Sequence, residues 1–137
     1  MRTINVAIVK DHNGVVKCIA TVDGVKASEC QININKADDN IKWTISSWFT
    51  ESGFKHQGIG KHAMSRLVSY CKTVHGYPTE VEYVWNGAHE YVLDWMERHF
   101  DAICTCPIAV QKTQSDDDWS SHIYVLNKDK VLDYFCS

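Results

Sequence analysis

The chain has 137 residues, of which 45% are hydrophobic and 23% are charged, and this composition is typical of a single soluble globular domain spanning residues 1–137. Its formal net charge of −3 gives no electrostatic reason to expect a nucleic acid or a membrane surface as a partner. No apolar run approaches the roughly 20 residues that a transmembrane helix needs, and the N-terminus does not resemble a signal peptide, so we expect a cytoplasmic protein.

The N-terminal part of the sequence predicts an antiparallel meander that ends in a central strand. Asn13-Gly14 and Asp23-Gly24 are strong signals for tight hairpin turns. A polar loop, Asn35–Asn40, is expected before the central strand. The predicted strands are Thr3–Lys10, Val15–Val22, Val25–Ile34 and Ile41–Thr50.

The central strand leads through a turn into a helix. Glu51–Phe54 forms the turn, and the helix opens within Lys55–Lys61. Apolar residues spaced by three or four positions share one helical face, which is why we predict a helix here. Gly76 and Pro78 are expected to end it. The apolar positions are Ile59, Ala63, Leu67, Cys71 and Val74.

The start of this helix has the features of an anion-binding site. The first N–H groups of a helix have no intrahelical acceptor, and the macrodipole adds about half a positive charge there. Gly58 and Gly60 lack a Cβ atom, so a ligand can approach the backbone closely. The pattern indicates a site for phosphate or pyrophosphate, although an ordinary helix that is entered through glycines remains the alternative.

A second helix and further strands follow. Glu80–Trp85 predicts a strand, Asn86-Gly87 a turn, and Ile103–Gln111 and His122–Leu126 two more strands, while residues 127–137 carry no clear pattern. Between the turn and these strands we predict an amphipathic helix. Its apolar face is Ala88, Tyr91, Val92, Trp95, Met96 and His99 or Phe100.

Three phosphate-binding motifs can be compared with the glycine turn. A P-loop would need Lys and Ser or Thr where Ile59 and Gly60 stand, so that motif fails. A dinucleotide-binding motif is met literally by Gly58, Gly60 and Ala63. However, that motif normally opens a chain of alternating strands and helices, whereas strands precede it here, so it remains the weaker alternative.

The third motif resembles the coenzyme A loop of the GCN5-related N-acetyltransferases (GNAT), whose pattern is Arg/Gln-x-x-Gly-x-Gly/Ala. Lys55–Gly60 matches it with Lys in the leading position. The resemblance implies an α+β fold of order β-β-β-β-α-β-α-β-β. In it, the two central strands are parallel and splay apart to admit the pantetheine arm. The pair of N-terminal helices usual in this family has no counterpart in the sequence.

The resemblance also implies a set of residues that bind acetyl-CoA or another acyl-CoA. The pyrophosphate would lie on the backbone amides of residues 57–61, with Lys55 and His56 as nearby basic groups. The backbone of residues 48–50 would pair with the pantetheine amides, and Asn86 would contact coenzyme A near its sulfur. The expected cofactor-binding residues are Trp48, Phe49, Thr50, Lys55, His56, Gln57, Gly58, Ile59, Gly60, Lys61 and Asn86.

Catalytic groups are assigned by the same resemblance. The family commonly places a Tyr as proton donor to the thiolate where this chain has Trp95, and an indole N–H does not ionise. Tyr91, one turn earlier, is the candidate substitute. Glu51 and Glu82 are the candidate bases that accept a proton from the attacking amine.

Two functions from different classes follow. The first is an acyl-CoA-dependent N-acyltransferase that transfers acetyl to an amine of a small molecule or a protein by direct attack. An acidic loop, Asp116–Asp118, would favour a cationic acceptor. The second is a GNAT-fold protein that has lost catalysis and acts as a binding or assembly module. The stretch Tyr83–Ala102 also resembles small acetyltransferase-like proteins of tailed phages. The sequence does not decide between a monomer and a homodimer.

Six cysteines are many for this length, and we expect reduced, mostly buried thiols. Cys104 and Cys106 form a C-x-C pair, but neither a C-x-x-C nor an H-x-x-x-H partner appears elsewhere in the sequence. We therefore expect no metal site. All six are Cys18, Cys30, Cys71, Cys104, Cys106 and Cys136.

Overall fold

The structure, a computed structural model, describes residues 2–85, 90–105 and 122–136; within these ranges the side chains of Trp85, Glu90 and Tyr91 are not described. The strands are β1 Ile4–His12, β2 Val15–Val22, β3 Val25–Ala37, β4 Asn40–Thr50, β5 Glu80–Trp85, β6 Ile103–Cys104 and β7 His122–Leu126. The helices are α1 Ile59–His75, α2 Glu90–Phe100 and α3 Lys128–Cys136, with a short 3₁₀ helix at Ser52–Phe54. None of the described helices has the length and hydropathy that a membrane span requires.

The seven described strands form one mixed sheet in the order β1-β2-β3-β4-β5-β7-β6. Every neighbouring pair is antiparallel except β4 and β5, which are parallel. A parallel pair needs a long crossover connection, and α1 supplies it. The predicted α+β fold and its parallel central strands are confirmed.

The hairpin turns of the N-terminal meander lie at the predicted turn residues. Asn13 and Gly14 have φ values of 52° and 78°, as a two-residue hairpin turn requires. The predicted polar loop Asn35–Asn40 is wrong, because β3 extends to Ala37 and pairs there with Asn40. Polar side chains that point to solvent do not stop a strand whose backbone groups still find partners across the ladder.

The two central strands diverge within the sheet. Pairing between β4 and β5 runs from Lys42 opposite Glu80 to Ile45 opposite Tyr83, and β4 then continues to Thr50 without pairs to β5. A β-bulge places an extra residue, Ser46, on β4 at the point where the pairing stops. The divergence predicted from the family resemblance is therefore present, and it begins at this bulge.

The core lies between the sheet and the helices. One face of α1 is buried, but Val74 in its last turn is 52% exposed, so its assignment to that face is wrong. Met64 and Val68 are fully buried instead, because they lie beside Leu67 on the face that packs against β1 to β4. The buried residues of α1 are Ile59, Ala63, Met64, Leu67, Val68 and Cys71.

The C-terminal segment forms α3, which the sequence pattern did not predict. The side-chain oxygen of Asn127 accepts a hydrogen bond from the backbone N–H of Lys130 at 3.1 Å, which is an N-cap. Val131 and Phe135, four residues apart, are buried. Of the strand predicted for Ile103–Gln111, β6 contains only Ile103 and Cys104, and residues 106–111 lie outside the described ranges.

Candidate functional site

A cavity of about 450 Å³ opens where β4 leaves β5. The end of β4 and the following turn contribute Trp48, Phe49, Thr50, Phe54, Lys55 and His56. The start of α1 contributes Gly58, Ile59 and Gly60, and α2 contributes Val92, Trp95 and Arg98. The cavity is therefore bounded by the strand end, the N-terminus of α1 and one face of α2.

The N-terminus of α1 is open toward an anion. The first helical hydrogen bond runs from the N–H of His62 to the carbonyl of Gly58 at 3.0 Å, so the N–H groups of residues 59–61 precede the helical ladder. Gly58 is the N-cap, and among the described residues no side chain caps the helix and no acidic residue lies in its first turn. A Cβ atom built on Gly58 would meet no atom within 4 Å. This space and the helix dipole together favour a bound phosphate.

Gly60 has a different role from Gly58. A Cβ atom on Gly60 would lie 2.7 Å from the side-chain oxygen of Thr50, closer than any real contact allows. Glycine at this position thus lets the first turn of α1 pack directly on β4. The indole N–H of Trp48 also donates a hydrogen bond to the carbonyl of Gly60 at 3.1 Å.

The free edge of β4 offers backbone groups to the cavity. The N–H of Glu51 donates to the carbonyl of Ala27 at 2.8 Å, and the Ser28 hydroxyl donates to the carbonyl of Phe49 at 2.9 Å. Phe49 and Glu51 therefore direct their backbone groups toward β3. Since these directions alternate along a strand, Trp48 and Thr50 present theirs to the side from which β5 has diverged.

Aromatic rings connect the cavity wall to the core. Trp48 meets Trp95 and Phe135 edge-on, each at a centroid distance of 5.7 Å. Trp95 in turn packs edge-on against Phe100 at 5.2 Å and against Tyr134 at 5.4 Å. These contacts hold α2 and α3 against the end of β4, so the width of the cavity is set by packed rings.

Two of the predicted cofactor-binding residues, Gln57 and Lys61, are described but do not line this cavity. Gln57 accepts a hydrogen bond from the guanidinium of Arg2, and its amide group lies 3.5 Å from the carbonyl of Gly53. The ammonium of Lys61 lies 4.4 Å above the ring of Tyr134, so this side chain reaches toward α3. Asn86 lies outside the described residues.

The two candidate bases lie outside the lining of the cavity. Glu51 is exposed directly after β4, and Glu82 is only 8% exposed; neither lines the cavity. The Glu82 carboxylate lies 3.0 Å from the ammonium of Lys42 and accepts a hydrogen bond from the Thr44 hydroxyl at 3.3 Å. The hydrogen bond that Lys42 donates to Glu82, followed by the negative charge of Glu82, raises the pKa of Lys42. Tyr91 belongs to α2, but its side chain lies outside the described part of the chain, as do Asp116–Asp118.

The sequence pattern did not single out Phe54, Val92 or Arg98 as site residues. A signal for the last two was present, because they lie three residues before and after Trp95 on one helical face.

Three buried thiols lie in the core, and none of them lines this cavity. Cys18 lies directly opposite Cys30 across β2 and β3, and both are fully buried together with Cys71 of α1. Burial raises the pKa of Cys71 to about 12. Among the described residues no group of three His, Cys, Asp or Glu side chains is arranged to hold a metal ion. Cys106 lies outside these residues.

Comparison with known proteins gives matches at the level of structure. No protein-family model matches the sequence, and no curated protein matches it significantly. Naa50 of Arabidopsis thaliana, solved with the bisubstrate analogue CoA-Ac-MVNAL, is 12% identical with a TM-score of 0.57, over 80% of this chain and 70% of that one. Nourseothricin acetyltransferase is 11% identical with a TM-score of 0.61, over 88% and 68%.

A protein from Desulfovibrio desulfuricans assigned to the GNAT family is 13% identical with a TM-score of 0.57, over 82% of this chain and 68% of that one. At these identities the similarity establishes the fold, which is that of the GCN5-related N-acetyltransferases.

Proposed function

We propose that this protein is an acyl-CoA-dependent N-acyltransferase that transfers an acetyl group from acetyl-CoA to an amine. One observation carries the proposal: the N-terminus of α1, which no described side chain caps, opens into a cavity at the point where β4 and β5 diverge. An acyl-CoA needs a site for its pyrophosphate beside a slot for its extended arm, and these two features lie together here. The similarity to a fold whose solved members include acetyltransferases supports the proposal.

The residues of the cavity fit the two parts of coenzyme A. The N–H groups of residues 59–61 would hold the pyrophosphate, with Lys55 and His56 in the adjacent wall. The N–H and C=O groups of Trp48 and Thr50 would bind the amides of the pantetheine arm, as a neighbouring strand would. The side chain of Lys61 has no part in this arrangement, because it covers Tyr134.

The bound thioester would supply an activated acyl group, and the protein would orient this group and transfer the protons. When the amine nitrogen bonds to the acyl carbon, the C–S bond breaks, the ammonium proton passes to a base and the thiolate takes up a proton. We assign the base to Glu51 or Glu82 and the proton donor to Tyr91. Of the two carboxylates, Glu51 is the more accessible, since Glu82 is paired with Lys42.

Thermal unfolding with and without acetyl-CoA tests this function. At a hundredfold excess over its dissociation constant, a ligand of the native state adds about 2.7 kcal/mol, an upward shift of Tm on the order of 10 °C for a domain of this size. We expect NADH and ATP to shift Tm much less. An equal shift with NADH, or none with any coenzyme A species, would contradict the proposal.

A specific feature favours a second function, in which coenzyme A is bound without catalysis. Trp95 lies in the cavity wall where the family commonly has a proton-donating Tyr, and its ring is fixed by contacts to Trp48 and Phe100. Such a protein would serve as a binding or assembly module. It would show the acetyl-CoA shift but release no free thiol when a panel of peptide, sugar and aminoglycoside amines is added.

A further inference from the structure

We propose that Arg98 binds the 3′-phosphate of coenzyme A and makes the site selective for coenzyme A over dephospho-coenzyme A. This inference rests on the proposed function, because it assigns a second phosphate site within the same cavity. The observation behind it is a single basic side chain that α2 contributes to the cavity, whereas the other described basic side chains of the lining belong to the turn that precedes α1.

The wall that α2 contributes changes character along its length. Val92, Trp95 and Arg98 are spaced by three residues, so they form one stripe on the helix, and all three line the cavity. At a rise of about 1.5 Å per residue, Val92 and Arg98 are separated by about 9 Å along the helix axis. One end of this wall is therefore apolar and the other end carries a guanidinium.

The charged side chains among the described lining of the cavity are all basic, which favours a ligand with more than one anionic group. The described lining includes three basic side chains, Lys55, His56 and Arg98, and no acidic one. Lys55 and His56 belong to the turn that leads to the helix N-terminus, where the pyrophosphate is placed. Arg98 comes from a different element. A phosphate monoester carries a charge of about −1.5 to −2 at neutral pH, and the planar fork of Arg matches its oxygens.

Arg98 is also free to take this role. Within the described residues it forms no ion pair, and its hydrogen bond from Nε to the carbonyl of Asp94, one turn earlier, is long at 3.5 Å. Other cations near the site are already engaged: Arg2 donates to Gln57, and Lys61 lies over Tyr134. Arg98 is also exposed to solvent, so its guanidinium is accessible to a ligand.

The test is calorimetric titration of coenzyme A and dephospho-coenzyme A into wild type, Arg98→Ala and Arg98→Lys. Arg66→Ala is the matched control, since Arg66 is an exposed helical arginine on α1 that does not line the cavity. We expect wild type and the Arg66 variant to bind coenzyme A at least ~10-fold more tightly than dephospho-coenzyme A, as charge-assisted hydrogen bonds permit. Arg98→Ala should reduce this ratio to below about 3-fold, because only the binding of coenzyme A is weakened. The ratio for Arg98→Lys should lie between those of wild type and Arg98→Ala.

Two results would overturn the inference while leaving the proposed function intact. One is a wild type that binds both ligands equally, and the other is an Arg98→Ala variant that weakens both by the same factor. Failure of wild type to bind either ligand would overturn the proposed function as well. Unfolding curves of the two Arg98 variants check that both fold, which an exposed helical position predicts.

Discussion

The indole N–H of Trp48 and the carbonyl of Gly60 are joined by a hydrogen bond of 3.1 Å, which fixes the end of the central strand to the first turn of the helix that follows it. The strand edge and the helix N-terminus are the two surfaces assigned to coenzyme A. Their relative position is therefore set by a partly buried contact between strand and helix, before any ligand binds.

Gly60→Ala should disrupt this contact. The new Cβ would lie 2.7 Å from the Thr50 hydroxyl, which is itself 3.3 Å from the Ser28 hydroxyl, so Thr50 cannot move freely. We expect a loss of about 1–3 kcal/mol in the free energy of unfolding, measured by urea denaturation, despite the helix propensity of Ala.

Two variants separate this clash from a general effect of removing glycine. Gly53→Ala is the matched control, because its Cβ would meet no atom within 4 Å, and stability should change by less than about 0.5 kcal/mol. In a Thr50→Ala background, Gly60→Ala should cost much less than in wild type. An unchanged cost in that background would show that the Thr50 contact is not the cause.

Gly58 allows the charge requirement of the helix N-terminus to be tested. It has a φ of 78°, which Asn and Asp tolerate better than other side chains, and it faces open space. Gly58→Asp and Gly58→Asn should therefore lose similar stability. Only the Asp variant adds a negative charge beside the proposed pyrophosphate, so it should abolish the thermal shift with acetyl-CoA, while the Asn variant should keep part of it.

Far-UV circular dichroism should remain nearly unchanged in both Gly58 variants. If the Asp variant bound acetyl-CoA as tightly as the Asn variant, the pyrophosphate site would lie elsewhere.

Asp11 should make stability depend on pH in the acidic range. The Tyr70 hydroxyl donates to it at 2.7 Å and His75 lies 3.1 Å away; the hydrogen bond from Tyr70, followed by that from His75, lowers the pKa of Asp11. A carboxyl whose pKa is lower when folded adds stability above its unfolded pKa of about 3.9, and this stability is lost as pH falls through the folded value. The stability difference between wild type and Asp11→Asn should therefore shrink from pH 6 to pH 3.

Urea unfolding of both proteins at several pH values measures this difference. A difference that stays constant down to pH 3 would mean that the contact between the hairpin and α1 does not depend on the charge of Asp11.

Local patterns were sufficient for much of this fold. Asn13-Gly14 predicts its turn because few residue pairs accept two positive φ values, and the spacing of Ile59 to Cys71 predicts the buried face of α1. The glycines at 58 and 60 predict close approach to the backbone, although the structure shows that one faces open space and the other faces β4.

Other features depend on tertiary neighbours that a local pattern does not contain. Lys61 belongs to the basic flank of the glycine turn, yet its side chain lies over Tyr134, because α3 packs beside α1. Glu82 alternates with core residues, as a surface acid would, but it is nearly buried between Thr44 of β4 and Val125 of β7. These strands become its neighbours only through the crossover and the returning strand.

Tyr91→Phe tests the assignment of the proton donor if the protein is an enzyme. A group that protonates the departing thiolate acts in the transition state, so its loss should appear in kcat rather than in the affinity for acetyl-CoA. General acid catalysis by one positioned group typically contributes ~10²–10⁴-fold. We expect kcat to fall by ~10²-fold or more in steady-state assays on a verified amine acceptor, with little change in the dissociation constant of acetyl-CoA.

Trp95→Phe is the control from the same helix. The Trp95 ring packs against Trp48, Phe100 and Tyr134, so its replacement should lower the free energy of unfolding by about 1–3 kcal/mol. An indole N–H does not supply a proton to a thiolate, so the rate should stay within a few-fold of wild type. If Tyr91→Phe also left turnover unchanged, the proton would have to come from solvent or from the substrate. A large loss of turnover in Trp95→Phe alone would instead show that the aromatic wall positions the thioester.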